Sequence, residues 1–222
     1  MLESIKLIYH QAIEAMAEGG VKDIFRPRVF WNRIATPVVM ELSTSKIPTA
    51  GQLQNPDLQF VEINMNDMQT GNLPFIIPSR GLKAWRNLKK GFRCFAITED
   101  SQVVGDVWCL TPKKDGSCIS HHDLDMLGIS CEKEDAYAFD MLIAPAYRGK
   151  NLAGPLQRFL QARLSLEGCK KVYGFYWNDN LPALWMHRML KFKELPKRRV
   201  TRFFFLEWSK GAGMAKPTVQ KA

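Results

Sequence analysis

No stretch of this 222-residue chain reaches the roughly 18 consecutive apolar residues that a membrane-spanning helix needs. The N-terminus also lacks the basic, apolar and small-residue sections of a secretory signal, so the expected location is the cytoplasm. Cysteine is scarce and without pattern. Cys94, Cys109, Cys118, Cys131 and Cys169 form an odd set with no CxxC spacing, which argues against a disulfide framework or a structural zinc site and predicts reduced thiols. There is no GxxxxGK[ST] loop and no GxGxxG turn, so nucleoside-triphosphate and dinucleotide chemistry lose their main support. Internal repeats and low-complexity blocks are missing as well, which excludes solenoids.

Acidic residues are thin in one region. The chain has 31 Lys and Arg against 22 Asp and Glu, a formal +9, and the stretch from Ala146 to Arg202 alone holds 13 basic and 3 acidic residues. The excess sits there, and its field attracts polyanions: nucleic acid, anionic lipid or a phosphorylated cofactor. Charge does not choose among them. With 46% hydrophobic residues the chain can fill one large core.

Leu2, Ile5, Ile8, Tyr9, Ala12, Ile13 and Met16 recur at helical steps up to Gly19-Gly20, which predicts an amphipathic helix. Core packing is the common fate of such a stripe; peripheral contact with an anionic membrane surface is the other. A basic aromatic stretch broken by Pro27 follows, VVMEL reads as a short strand, and Ser43 to Asp57 reads as a linker. Beyond it come the strands LQFVEIN, FRCFAIT and VVGDVWCL, the last two joined by a hairpin at Glu99-Asp100-Ser101. After a polar insertion the order is strand AYAFDMLI, helix, strand KVYGFYW, a helix from about Leu181 to Leu190, and strand VTRFFFL. This predicts an α/β (α+β) fold: a mixed, mostly antiparallel sheet with helices on both faces. The expected organisation is an appended N-terminal segment over 1–57, a main domain over 58–208 and a disordered tail over 209–222.

The turn YRGKNLAG opens a helix of regularly spaced leucines. A strand that runs into such a turn leaves backbone N–H groups unpaired at the positive end of a helix dipole, where Gly149 and Gly154 allow close approach and Arg148 and Lys150 add charge. That is an anion site. The segment Arg148-Gly149-Lys150-Asn151-Leu152-Ala153 resembles the phosphate-binding turn of the GNAT superfamily of N-acetyltransferases, with Asn151 where glycine is usual. In WNDNLPALWMHRMLKF, Asn180, Ala183, Met186, His187 and Phe192 are similar to the superfamily's next motif, with Lys191 in place of a glycine. The resemblance covers roughly Phe92 to Leu206 and leaves out 1–56.

The resemblance implies acetyl transfer from acetyl-CoA to the primary amine of an acceptor, with no metal. It implies that the strand AYAFDMLI splays away from KVYGFYW, that the backbone of Met141, Leu142 and Ile143 receives the pantetheine arm, and that Gly149 to Gly154 hold the pyrophosphate. By the same resemblance Asn180 would contact the pantetheine or a bound water, and Ala183 would belong to the cofactor site. His187 falls where the family often keeps the acid that protonates the leaving thiolate, usually a tyrosine, and Tyr137 and Tyr176 are substitutes for it. Asp140 is the candidate base, with Glu62 next. His121-His122-Asp123, with Cys118 and Asp125 nearby, reads as a solvated loop bordering the acceptor pocket rather than a metal site. Trp85, Trp108, Trp177 and Trp185 read as core or cleft-wall residues. The N-terminal segment looks like the leader of GNAT proteins of envelope biosynthesis, which implies an amino sugar or amine-bearing metabolite as acceptor. Two other readings stand beside this one: a nucleic-acid binder using KKVYGFYW and LPKRRVTR, and a degenerate module that binds acyl-CoA without turnover.

Overall fold

The computed structural model describes residues 30–42, 57–112, 117–203 and 206–212, together with Lys6, Tyr9, His10 and Ile13. These last four are helical, with Tyr9 and Ile13 exposed. The rest of the expected N-terminal helix, most of the expected linker and residues 213–222 of the expected tail lie outside the described residues.

Nine strands form one sheet. They are β1 (Phe30–Glu41), β2 (Leu58–Ile63), β3 (Arg93–Glu99), β4 (Gln102–Leu110), β5 (Asp135–Ile143), β6 (Lys171–Trp177), β7 (Lys193–Glu194), β8 (Arg198–Phe203) and β9 (Leu206–Gly211). Their order is β2-β3-β4-β5-β6-β1-β8-β9, with β7 pairing to β1. Among the described strands, β5 and β6 alone run parallel. The hairpin between β3 and β4 turns on Asp100 and Ser101, both at positive φ, the backbone that suits the twist of antiparallel strands.

The helices are α1 (Met65–Thr70), α2 (Pro78–Lys89), α3 (His122–Leu127), α4 (Ala153–Leu166) and α5 (Leu181–Met189). Strand alternation divides them between the two faces. Phe95, Ile97, Val104, Cys109, Ala136 and Val172 meet α4 and α5 on one side. Cys94, Ala96, Trp108, Tyr137 and Phe139 face α1, α2 and α3 on the other. The leucine stripe of α4 is the anchor: Leu156, Leu160 and Leu164 are fully buried, each contributing about 1.5–3 kcal/mol of apolar transfer.

The expected boundary at residue 57 does not coincide with an edge of the sheet. Strand β1 lies inside it, pairing with β6 over Ala35–Glu41 and with β8 over Phe30–Ala35. It carries Pro37, a residue that argues against an inner strand because it cannot donate to the ladder. The structure accommodates it where β1 changes partners. Pro37 O accepts from Leu195 N at 2.8 Å, so the missing N–H falls on the side where β8 gives way to β7. Likewise Ser209–Gly211, placed in the tail by the sequence, belong to β9.

Two residues that depart from the GNAT pattern sit in the left-handed region: Asn151 at φ 55 and Lys191 at φ 61. A residue with a Cβ pays about 1–2 kcal/mol there, and asparagine less than most. Lys191 follows the C-terminus of α5, a position that favours glycine. Lys191→Gly is therefore expected to stabilise the fold by about 1 kcal/mol, read as a rise of about 2–4 °C in the thermal midpoint; an unchanged or lower midpoint would contradict the strain.

Candidate active site

Strands β5 and β6 pair only from Asp135–Tyr137 to Lys171–Tyr173 and then part. Beyond that point β5 pairs with β4 alone, and β6 with β1 alone. The separation begins at Gly174, where an added Cβ would stand 3.3 Å from the Ala138 carbonyl oxygen. Between the strands opens a cleft of about 1240 Å³, bounded by β5 from Phe139 to Ile143, β6 from Phe175 to Trp177, the starts of α4 and α5, and the Lys83–Lys90 face of α2.

At one end lies the turn Arg148–Gly154. Helix α4 has Leu152 as its N-cap, with no side-chain cap bond and no acidic residue in its first turn, so its first N–H groups and the dipole point outward. Built onto Gly149 or Gly154, a Cβ would meet nothing within 4 Å. Open space over uncapped amides suits a diphosphate. Arg148 Nε donates to Ile143 O at 3.3 Å and Lys150 Nζ lies 4.4 Å from the Tyr147 ring centroid, while the Tyr147 hydroxyl bonds Glu99.

Midway along the cleft β5 bulges. Asp106 opposes Leu142 while Trp108 opposes Phe139, so β5 has one residue more than β4, and Asp140 takes φ 53 to absorb it. Arg80, buried at the start of α2, clamps this bulge. Its Nη2 donates to Asp140 O at 2.8 Å, its Nη1 meets Asp140 Oδ2 at 2.8 Å, and its Nε and Nη2 hold the buried Asp106. Trp108 Nε1 donates to the same carboxylate at 2.8 Å. Burial works against the guanidinium, but Asp106 and Asp140 outweigh it and raise its pKa; burial also pushes Asp106 up while Arg80 draws it back. Lys83 Nζ adds a second cation to Asp140 Oδ2 at 2.5 Å.

Beyond the bulge stands His187, on α5 and 9% exposed. Its Nδ1 lies 2.7 Å from Ala183 O, and a carbonyl can only accept, so Nδ1 carries the proton. Nε2 is then an acceptor in the neutral ring and has no hydrogen-bond partner among the described residues. Burial lowers the pKa from its ordinary 6.5, opposed by the Ala183 bond and Glu194. The ring stacks on Tyr176, 5.4 Å between centroids, and meets Phe192 edge-on at 4.9 Å. Burial thus favours the neutral ring, which offers Nε2 as an acceptor while Nδ1 holds the proton.

The remaining candidates divide clearly. Met141, Leu142, Ile143, Arg148, Gly149, Asn151, Leu152, Ala153, Gly154, Asn180, Ala183, Asp140 and His187 all line the cleft, whereas Lys150 and Tyr137 do not. Asn180 Oδ1 caps α5 by accepting from Ala183 N at 3.2 Å. Tyr137 is fully buried on the opposite sheet face; its hydroxyl donates to Asp123 Oδ2 at 2.8 Å, and burial pushes the phenol well above its ordinary range. Tyr176 donates to Glu194 at 2.9 Å. Glu62 pairs with Arg93 away from the cleft. His121, His122 and Asp123 border the cleft, and their ligand atoms lie within 4.8 Å of one another, but hydrogen bonds within the protein already engage them. Trp177 and Trp185 are cleft walls, and Trp108 is core. Sequence reasoning passed over Arg80, Lys83, Asp106, Asn87 and Lys90. Their signals were an aspartate inside the apolar run VVGDVWCL and a polar i, i+4, i+7 stripe after Pro78.

Comparison with known proteins places this geometry in a fold. No protein-family profile and no curated protein matches the chain. Among solved structures, a GCN5-related glucosamine N-acetyltransferase region within a fungal multi-domain β-N-acetylglucosaminidase superposes with a TM-score of 0.54 at 15% identity, covering 87% of this chain and 23% of that one. A Drosophila protein gives 0.50 at 10% identity, covering 85% and 57%. A putative GNAT-family acetyltransferase from Novosphingobium aromaticivorans gives 0.47 at 15%, covering 78% and 66%. The chain thus shares the GNAT-like fold while spanning less than two thirds of the length of these structures.

The buried clamp yields a measurable consequence. Arg80→Met leaves the buried Asp106 without its cation, while Asp140 keeps Lys83, and is expected to lower the urea unfolding free energy by about 3–5 kcal/mol; adding Asp106→Asn should recover part of that loss. A loss under about 1 kcal/mol would mean the clamp does not hold the bulge.

Proposed function

We propose that the chain transfers an acetyl or short acyl group from acetyl-CoA to the primary amine of a small acceptor. The observation that carries this reading is the parting of β5 and β6 beside an uncapped helix start, since coenzyme A brings both a strand-like amide arm and a diphosphate. The backbone of Met141, Leu142 and Ile143 would receive the arm and Gly149–Gly154 the diphosphate, with Arg148 and Lys150 contributing charge. Acetyl-CoA supplies an activated thioester; the protein's part is to hold, orient and move a proton.

The amine attacks in its neutral form, its first proton left to solvent, and the nitrogen sheds a second as it is acylated, so a group near the thioester must accept that proton. In this reading His187 Nε2 does so, and its Nδ1–H bond to Ala183 steadies the transient positive ring. The same Nε2–H then faces the departing sulfur. Asp140 is proposed as a positioning residue: its carboxylate is engaged by Arg80 and Lys83, and its backbone sets the bulge beside the N–H near Leu142 or Ile143 that would polarise the thioester carbonyl. An amino sugar or similar metabolite is the acceptor class this reading favours, in line with the resemblance and with the glucosamine N-acetyltransferase region that shares the fold.

Calorimetry with acetyl-CoA tests the first half of the proposal: a clear heat is expected, lost by at least ~tenfold in affinity for Gly154→Asp, which puts a negative charge where the phosphates would sit. No heat for the unaltered protein would sink the reading. The second half concerns proton transfer. His187→Gln is expected to cut kcat by roughly 100-fold or more while acetyl-CoA still binds. An NMR titration should find His187 with a midpoint below 6.5 and its proton on Nδ1; a midpoint above 6.5, or full turnover in the variant, would remove the base.

A further inference from the structure

The cleft wall facing the thioester region is a face of α2. Lys83, Asn87 and Lys90, the last of these capping the C-terminus of α2, follow at i, i+4 and i+7, and all three line the cleft. Asn87 is 7% exposed, and its Nδ2 is buried without a hydrogen-bond partner. Native structures rarely leave a buried donor unused, because such a group has lost water and gained nothing. Lys90 has no ion-pair partner among the described residues, and its ammonium lies 6.0 Å from the Phe92 ring centroid. Asn87 Nδ2 is thus a buried donor in want of an acceptor, and the exposed Lys90 ammonium stands beside it at the cleft with no carboxylate paired to it among the described residues.

Their surroundings give the subsite a floor and a direction. Phe92 meets Phe139 edge-on at 5.4 Å, and His121 lies 4.8 Å from Phe139, making an aromatic base. Along β5, Lys83 stands at Asp140 and the Lys90–Phe92 pair at Phe139, on the side of the bulge away from Arg148–Gly154. The subsite therefore belongs to the acceptor end. The two carboxylates of that end are already engaged, Asp140 by Arg80 and Lys83, and Asp123 by the Tyr137 hydroxyl and His122, so neither quenches Asn87 or Lys90.

We propose that Asn87 and Lys90 form a subsite for an anionic oxygen group, a carboxylate or phosphate ester, carried by the acceptor amine. The inference rests on the acyl-transfer reading for its acceptor. It narrows the substrate class from amines in general to amines with an acidic group at the far end.

Three amines of similar length test it by calorimetry on the full chain with coenzyme A present: 4-aminobutyrate, 3-aminopropyl phosphate and butylamine. One or both anionic amines should bind at least ~tenfold tighter than butylamine, and the tighter one identifies the group. Lys90→Met should reduce that preference by about tenfold, and the near-isosteric Asn87→Asp should abolish it, with thermal unfolding checked to show that both variants fold. Equal binding of the three amines, meaning that water alone serves Asn87, or a preference that survives both variants, would overturn the subsite. Acetyl-CoA is titrated into the same protein to separate the two proposals. Heat from acetyl-CoA without amine preference keeps the transferase and discards the subsite; amine preference without that heat does the reverse.

Discussion

Everything distinctive about this molecule follows from a ladder that stops. β5 and β6 run parallel for three residue pairs and then separate, leaving inward-facing backbone on both strands. Exposed strand edges inside a protein are expensive unless something pairs with them. The strands are kept apart from both sides: β5 is drawn to β4 through the Asp140 bulge and the Arg80 clamp, and β6 is drawn to β1 along seven residues. Without those outer partners the two strands would close on each other, and the cleft would vanish.

Electrostatics then gives the cleft two ends of different character. At the turn the positive contribution comes from backbone, the uncapped start of α4 with Arg148 beside it. At the opposite end it comes from α2, where Lys83, Asn87 and Lys90 face an aromatic floor. Between them lies His187, whose buried ring is neutral and holds its proton on the nitrogen turned to Ala183. In the acyl-transfer reading proposed above, the positive end would take the phosphates, the neutral ring the proton, and the donors at the far end the acidic group of the acceptor.

Two residues stand where the pattern that the sequence resembles has glycine. Asn151 and Lys191 both replace expected glycines, yet both keep left-handed backbone. That conformation is the one glycine adopts at no steric cost, so the two substitutions fit the backbone at a cost of strain. Lys191 continues to end α5, and Asn151 continues to turn the chain into α4.

Local pattern revealed most of the element order. The leucine spacing of α4, the alternation of β3 to β6, the hairpin at Asp100-Ser101 and the turn before Ala153 are short-range features, set by backbone sterics and by which residues shun water, so they are visible in any window of ten to fifteen residues. The inner place of β1, the clamp of Arg80 on Asp106 and Asp140, and the α2 face at the acceptor end were not visible. Each depends on partners far apart in the chain, as Ala35 is from Trp177 or Arg80 from Asp140. Pro37 even pointed the wrong way, because a lost donor matters only once it is known which neighbour it would have met. Composition and periodicity by themselves determined which segments could be strands and helices and where an anion would be welcome; only the tertiary structure decided which strands touch and which stay apart, because that choice is made by long-range pairing and buried charge rather than by any residue's own preference.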